Sequence, residues 1–134
     1  MRRITADSAT VHDELVSADD GSTVHARVGS TVYAETGSRV HAEAGSTVVA
    51  FAGSRVYAYG GSAVTAYAGS RVYTCDNATV TVYAGSRVYA RAGSTVYAHD
   101  GSVVYARAGS LVSADYGATV YAEAGSTVKP ALDL

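Results

Sequence analysis

The feature that most constrains the fold is an unbroken repeat of eight residues. From residue 13 to residue 132, the 134-residue chain divides into fifteen octapeptides of the form G-S-x-V-x-A-x-x. Valine occupies the fourth position of all fifteen, and glycine the first position of thirteen, with Asp13 and Asn77 as the exceptions. Asp and Asn tolerate left-handed backbone angles better than most other non-glycine residues. We therefore expect a tight turn at this position in every octapeptide, as in a solenoid.

Alternation inside each octapeptide predicts a strand. The repeated Ser, Val and Ala residues alternate with variable residues at a period of two, which is typical of a strand with one buried face. The variable residues repeat every sixteen residues. At the third position, one set of octapeptides carries mostly Arg and the intervening set mostly Thr. At the fifth position, the first set carries only Tyr or His and the intervening set carries mixed residues. Two strands therefore form one coil. The sequence predicts an all-β fold, a thin two-sheet β-solenoid (parallel β-helix) with 16 residues per coil and about seven coils.

Both ends of the chain depart from the repeat. We expect an N-terminal cap at 1–20, with Ile4 and Val11 as apolar anchors, solenoid repeats at 21–128, and a C-terminal cap at 129–134. Pro130 replaces the repeat alanine and removes a backbone donor, which is typical of an end strand. In the thin interior, the serine hydroxyls need hydrogen-bond partners, and we expect the neighbouring turn backbone to supply them.

Composition and spacing argue against several functional classes. No apolar run approaches the ~20 residues of a membrane helix, and no signal-like segment follows Met1, which predicts a cytoplasmic protein. The serines have no oriented His–acid pair within any octapeptide. His25 and His41 come near Glu43, but no third and fourth metal ligand is evident. Cys75 is the only cysteine and is interpreted as an incidental thiol, with a dimer cross-link or a reactive site as alternatives. We expect no enzyme activity, cofactor or bound metal.

One set of strands combines aromatic and basic side chains on its outward side, here termed the tyrosine face. Over residues 21–132, seven arginines against three carboxylates give this face a net charge of +4, although the chain as a whole carries −2. Regular aromatic rows suit protein contacts, and we predict a partner-binding strip on this face. Its residues are Tyr57, Tyr73, Tyr89, Tyr105, Tyr121, Arg39, Arg55, Arg71 and Arg87.

The leading hypothesis is a non-enzymatic structural module that forms a homodimer through the stacked tyrosines. In an antiparallel two-fold arrangement, each arginine would meet a tyrosine ring or a rim acid of the partner. Two other interpretations stay open. Tyrosine favours strands, so the row could serve packing alone. Arginine beside aromatic rings also suits a polyanion, although the net charge of −2 gives no general reason to expect nucleic acid.

The outward side of the other strands is nearly uncharged and is termed the threonine face. Over residues 21–132 its charges are Lys129 against Glu35, Asp100 and Asp115, a net −2. Threonine fills five of seven third positions. Because flat threonine arrays can order water, ice binding is an alternative function, in which this face would contact ice. The candidate residues are Thr31, Thr47, Thr79, Thr81 and Thr95.

Several octapeptides resemble known repeats. The runs GSRVYAYG (53–60), GSAVTAYA (61–68), GSRVYARA (85–92) and GSTVYAHD (93–100) resemble octapeptide repeats of uncharacterised bacterial and phage β-solenoid proteins. The sixteen-residue coil, the GST element and the tyrosine row are similar to the repeat domain of bacterial ice nucleation proteins. That resemblance implies a bacterial origin and a tyrosine ladder used for dimerisation. Only Thr79 and Thr81 form a T-x-T pair of the kind that family uses in rows.

Overall fold

The computed structural model describes residues 2–5 and 8–130, and these residues form strands in two parallel sheets. The nine-stranded sheet contains β1 (Arg2–Ile4), β3 (Leu15–Ala18), β5 (Thr31–Ala34), β7 (Thr47–Ala50), β9 (Ala63–Ala66), β11 (Thr79–Val82), β13 (Thr95–Ala98), β15 (Leu111–Ala114) and β17 (Thr127–Pro130). The eight-stranded sheet contains β2 (Ala9–Val11), β4 (Thr23–Ala26), β6 (Arg39–Ala42), β8 (Arg55–Ala58), β10 (Arg71–Thr74), β12 (Arg87–Ala90), β14 (Val103–Ala106) and β16 (Thr119–Ala122). No long apolar helix of the kind that spans a membrane is present in this part of the chain.

The strand register confirms the sixteen-residue coil. Val72 pairs with Val56 on one side and with Val88 on the other, and Tyr73 lies between Tyr57 and Tyr89 in the same way. Residues sixteen apart are therefore neighbours, and each outward position becomes a column along the solenoid. The stack has about eight turns, because β1, β2 and β3 extend the two sheets beyond the seven coils expected.

The interior is thin and filled by valine and alanine. Val88 and Ala90 are fully buried, as are their equivalents through most of the stack. The inward serines donate to the carbonyl three residues earlier, as in the 2.6 Å bond from Ser70 Oγ to the Tyr67 oxygen. This confirms the partner expected for the serines. Every buried side-chain nitrogen and oxygen of the described residues has a hydrogen-bond partner.

The turns require left-handed backbone angles and close approach between coils. Asp13 and Asn77, which replace glycine, have φ of 47° and 28°, as their residue types predict. At Gly101, with φ 83°, a side chain would also collide with the coil before it. A β-carbon built on Gly101 would lie 2.9 Å from that of Ala84. The glycine and the alanine seventeen residues earlier therefore allow the turns to stack.

The N-terminal coil is shorter than the others. Arg2 lies opposite Val16, fourteen residues away, and Ala9 lies opposite Val24, fifteen residues away. Inside this coil Ile4 and Val11 are buried, 5% and 1% exposed. They cover the end of the core with side chains larger than the repeat alanine.

The opposite end of the core is open among the described residues. Val128 is 42% exposed, and Val120 is only partly buried. Pro130 pairs with Ala114 at the end of β17. The cap assignments at 1–20 and 129–134 stay predictions. Residues 1, 6, 7 and 131–134 lie outside the described residues.

Candidate interaction faces

The tyrosine face carries one continuous stack of rings. Its fifth positions come from strands of the eight-stranded sheet, whose spacing of ~4.8 Å sets the distance between consecutive rings. The centroids lie 4.9 Å apart for Tyr73–Tyr89 and Tyr89–Tyr105, and 5.2 Å apart for Tyr57–Tyr73. Interplanar angles stay at or below 15°. The full column is His25, His41, Tyr57, Tyr73, Tyr89, Tyr105 and Tyr121.

Stacking determines which part of each ring meets solvent. From Tyr57 to Tyr105, each ring has a neighbour on both faces, and the rings are half-buried. Only ring edges and hydroxyl groups point outward, so the column forms a straight, rigid ridge. An arginine plane cannot lie on the face of an internal ring, which removes the ring-face contact expected for the arginines. Tyr121, 57% exposed, stacks on Tyr105 at the end of the column.

The histidines occupy the N-terminal end of the same column. His25 and His41 stack with their centroids 4.7 Å apart. Burial lowers the pKa of His41 below its ordinary value of 6.5. The neighbouring His25 and Arg39 lower this pKa further, and Glu43 opposes them. The lowered pKa favours the neutral imidazole at His41. Across residues 2–5 and 8–130, no three His, Cys, Asp or Glu side chains lie close enough to hold a metal ion.

A column of arginines runs beside the rings. Arg39, Arg55, Arg71 and Arg87 are exposed and lie in register in β6, β8, β10 and β12. Within the described chain, none of these four guanidinium groups has a carboxylate within 4.0 Å. The ion pair that this face does contain joins Arg27 to Glu43 at 3.7 Å, on the other side of the ring column. Four uncompensated positive charges therefore follow one edge of the ridge.

A groove follows the other edge of the ridge. Its volume is about 850 Å³, and it lies between the tyrosine column and the seventh-position side chains. Cys75, Arg91, Arg107 and Glu123 line that second wall. Beneath it, the buried Thr74 hydroxyl accepts a 3.1 Å hydrogen bond from the Arg91 backbone N–H. In the equivalent position of the next coil, the Arg107 backbone N–H donates to the Ala90 carbonyl instead. The difference arises because Thr74 occupies a position that is alanine in the neighbouring coils of this sheet.

The threonine face presents shorter side chains in broken columns. Thr31 pairs with Thr47, and Thr79 pairs with Thr95, but Ala63 separates the two pairs. Thr81 has Thr65 on one side and Tyr97 on the other. The five candidate threonines thus share one sheet without forming paired rows. Ice binding stays a prediction, which thermal hysteresis measurements would test.

A second aromatic column lies at one edge of the threonine face. Phe51, Tyr67, Tyr83 and His99 stack at centroid distances of 5.8, 5.1 and 4.6 Å, and His99 Nδ1 lies 3.0 Å from Asp115 Oδ2. The sequence analysis did not predict the contact between His99 and Asp115. Both residues occupy the seventh position of their octapeptides and lie sixteen residues apart, which places them side by side in adjacent coils. That spacing could have predicted their contact.

Comparison with known protein families, curated proteins and solved structures finds no match to this chain. The geometry of the two faces is therefore the basis for a functional proposal.

Proposed function

We propose that this chain is a non-enzymatic structural module that self-associates through its tyrosine face, with a homodimer as the smallest assembly. The observation that carries the proposal is the continuous stack from His25 to Tyr121, which orders seven rings into one ridge. Side chains that are already ordered lose little conformational entropy when a partner covers them. The ridge is therefore preorganised for binding.

The face is also large enough for a stable contact. Seven strands spaced ~4.8 Å apart give a length of about 34 Å, and three outward columns about 6.6 Å apart give a width of about 20 Å. Covering this rectangle on both partners buries roughly 1,300–1,400 Å², which falls within the usual size of specific interfaces. The resemblance to bacterial ice nucleation repeats supports the same use of the tyrosine column, and bacterial origin is part of this proposal.

The test is the mass of the assembly in solution. Changing Tyr73, Tyr89 and Tyr105 together to Ser removes the middle of the ridge, and we expect a chain that stays monomeric by light scattering. Tyr116→Ser is the matched control, because Tyr116 lies fully exposed in a turn away from both sheets. An unchanged assembly in the triple variant, with circular dichroism showing intact strands, would contradict the proposal.

A second candidate function is polyanion binding, which the uncompensated arginine column favours. Arg39, Arg55, Arg71 and Arg87 could contact consecutive anionic groups of an extended polymer. The covered ring faces count against single-stranded nucleic acid, since bases bind such proteins by stacking on aromatic faces. A steep salt dependence of heparin binding would support this candidate, and no binding at low salt would exclude it.

A further inference from the structure

We propose that the tyrosine face packs against the threonine face of a second copy, so that the chains associate front to back. This inference rests on the proposed self-association and specifies which surface of the partner meets the ridge. The closed alternative is a dimer in which two tyrosine faces meet.

Charge favours unlike faces. Over residues 21–130 the tyrosine face carries seven arginines against Glu43, Asp76 and Glu123, a net +4. The threonine face carries Lys129 against Glu35, Asp100 and Asp115, a net −2 over the same range. Two tyrosine faces would bring eight in-register arginines into one interface, and buried like charges are unfavourable. A front-to-back contact instead pairs a positive surface with a negative one.

The columns of the two faces also match in a simple translation along the sheet normal. At one edge of the solenoid, the chain leaves the threonine face at a seventh position and enters the tyrosine face four residues later at a third position. A translated copy therefore brings the second aromatic column over the arginine column, coil by coil. The facing pairs are Glu35 with Arg39, Phe51 with Arg55, Tyr67 with Arg71, and Tyr83 with Arg87.

Three of these four pairs join a guanidinium donor to an acceptor, and the Phe51–Arg55 pair does not. The Glu35 carboxylate is an acceptor for the Arg39 guanidinium, and the Tyr67 and Tyr83 hydroxyls are acceptors for Arg71 and Arg87. Tyr67 and Tyr83 are 42% and 37% exposed, so their outer atoms are free to make this contact.

The central columns fit by shape. The ridge of Tyr57, Tyr73 and Tyr89 would lie on the fifth-position column of the partner's threonine face. There, shorter side chains occupy the middle coils: Val49, Thr65 and Thr81. A protruding column over a lower one allows the two sheets to approach, whereas two ridges hold each other apart. The longer Tyr33 and Tyr97 flank this lower segment on either side.

A front-to-back contact has a consequence for assembly size. Because each chain uses two different surfaces, the arrangement does not close, and a third copy adds as readily as the second. The mass of the assembly should therefore rise with concentration instead of stopping at twice the chain mass.

Complementation between two blocked variants tests this arrangement. Tyr89→Lys places a charge in the middle of the ridge and blocks the tyrosine face. Thr81→Lys places a charge in the middle coils of the threonine face and leaves the ridge intact. Each variant alone should be monomeric. A 1:1 mixture should form a complex of two chains of 13.7 kDa each, because one free tyrosine face meets one free threonine face.

The outcomes separate this inference from the proposed function. If Thr81→Lys alone forms a dimer, the front-to-back contact is wrong and self-association through the tyrosine face stands. If the unmodified chain is monomeric at every concentration, the proposed function fails and the inference fails with it. Thr65→Lys serves in place of Thr81→Lys should the latter lose its strand signal by circular dichroism.

A charge reversal tests the register. Glu35→Arg should weaken association about 2–5-fold, the effect of losing one exposed ion pair. Adding Arg39→Glu to the same chain should restore it, since the reversed residues again face each other between copies. A double variant no stronger than Glu35→Arg would overturn the translated register.

Discussion

The tyrosine stack makes a quantitative prediction about stability. Tyr89 has ring partners on both sides, Tyr73 and Tyr105, each with its centroid 4.9 Å away. Tyr121 has one, Tyr105 at 5.0 Å. Tyr97 has none in its own column, where its neighbours are Thr81 and Ser113. These three residues form a series of two, one and zero stacking contacts in equivalent strand positions.

The expected losses follow from the energy of one aromatic pair, about 0.5–1.5 kcal/mol beyond area burial. Relative to Tyr97→Ala, which accounts for the change in strand propensity, Tyr89→Ala should lose a further ~1–3 kcal/mol. Tyr121→Ala should lose a further ~0.5–1.5 kcal/mol. The measurement is urea unfolding followed by circular dichroism, at a concentration where each chain is monomeric. Equal m-values would make the midpoints comparable. Equal losses for all three variants would refute a stabilising role for the stack.

Three further expectations test the turns, the histidines and the arginines. Gly101→Ala should lower the free energy of unfolding by ~1–2 kcal/mol because of its backbone angle. The collision with Ala84 should lower it by a further ~1–3 kcal/mol. Gly21→Ala has open space around the new side chain and should show only the first loss in thermal or urea unfolding. The pKa of His41 is lowered in the fold, so the unfolded chain takes up a proton at a higher pH than the folded chain. The free energy of unfolding should therefore fall as the pH drops through 6.5. His41→Tyr should reduce that fall, and an unchanged pH profile in the variant would contradict the prediction. Arg71→Thr should raise the stability of the monomer by a few tenths of a kcal/mol to ~1 kcal/mol while weakening association, as measured by unfolding and light scattering on the same protein.

The fold was predictable because the repeat leaves few alternatives. Valine at the fourth position of every octapeptide specifies which side of each strand is buried. Glycine at the first position of nearly every octapeptide specifies where the turn lies. The sixteen-residue period then specifies the register, and Tyr73 beside Tyr57 and Tyr89 confirms it. The extra turn was less predictable, because β1 pairs with β3 at an offset of fourteen residues, which differs from the sixteen-residue period of the repeat.

The candidate site was predictable only in part. Columns follow from spacing, so the sequence places the tyrosines and arginines together. Ring orientation depends on side-chain torsions and neighbour contacts, and so the sequence did not reveal that the ring faces of Tyr57 to Tyr105 are covered. The pairing of His99 with Asp115 was missed for a related reason: it joins two coils, and a search within single octapeptides cannot find it.

The arginine column is the outward feature that the fold itself explains least. The interior of each coil needs only Ser, Val and Ala, and the turn needs Gly with a small neighbour. The fold therefore accepts many different residues at the third, fifth and seventh positions, although stacked rings there add stability. Yet four consecutive coils place arginine in register, where adjacent unit charges ~4.8 Å apart repel by about 0.9 kcal/mol in water before salt screening. Thr23 and Thr119 occupy the same column, and threonine would remove that repulsion while keeping strand propensity. Because the column opposes the stability of the monomer, we expect its role to lie in a contact with another molecule. In the front-to-back arrangement proposed above, the negative, aromatic edge of the threonine face would supply the compensating surface on a second copy.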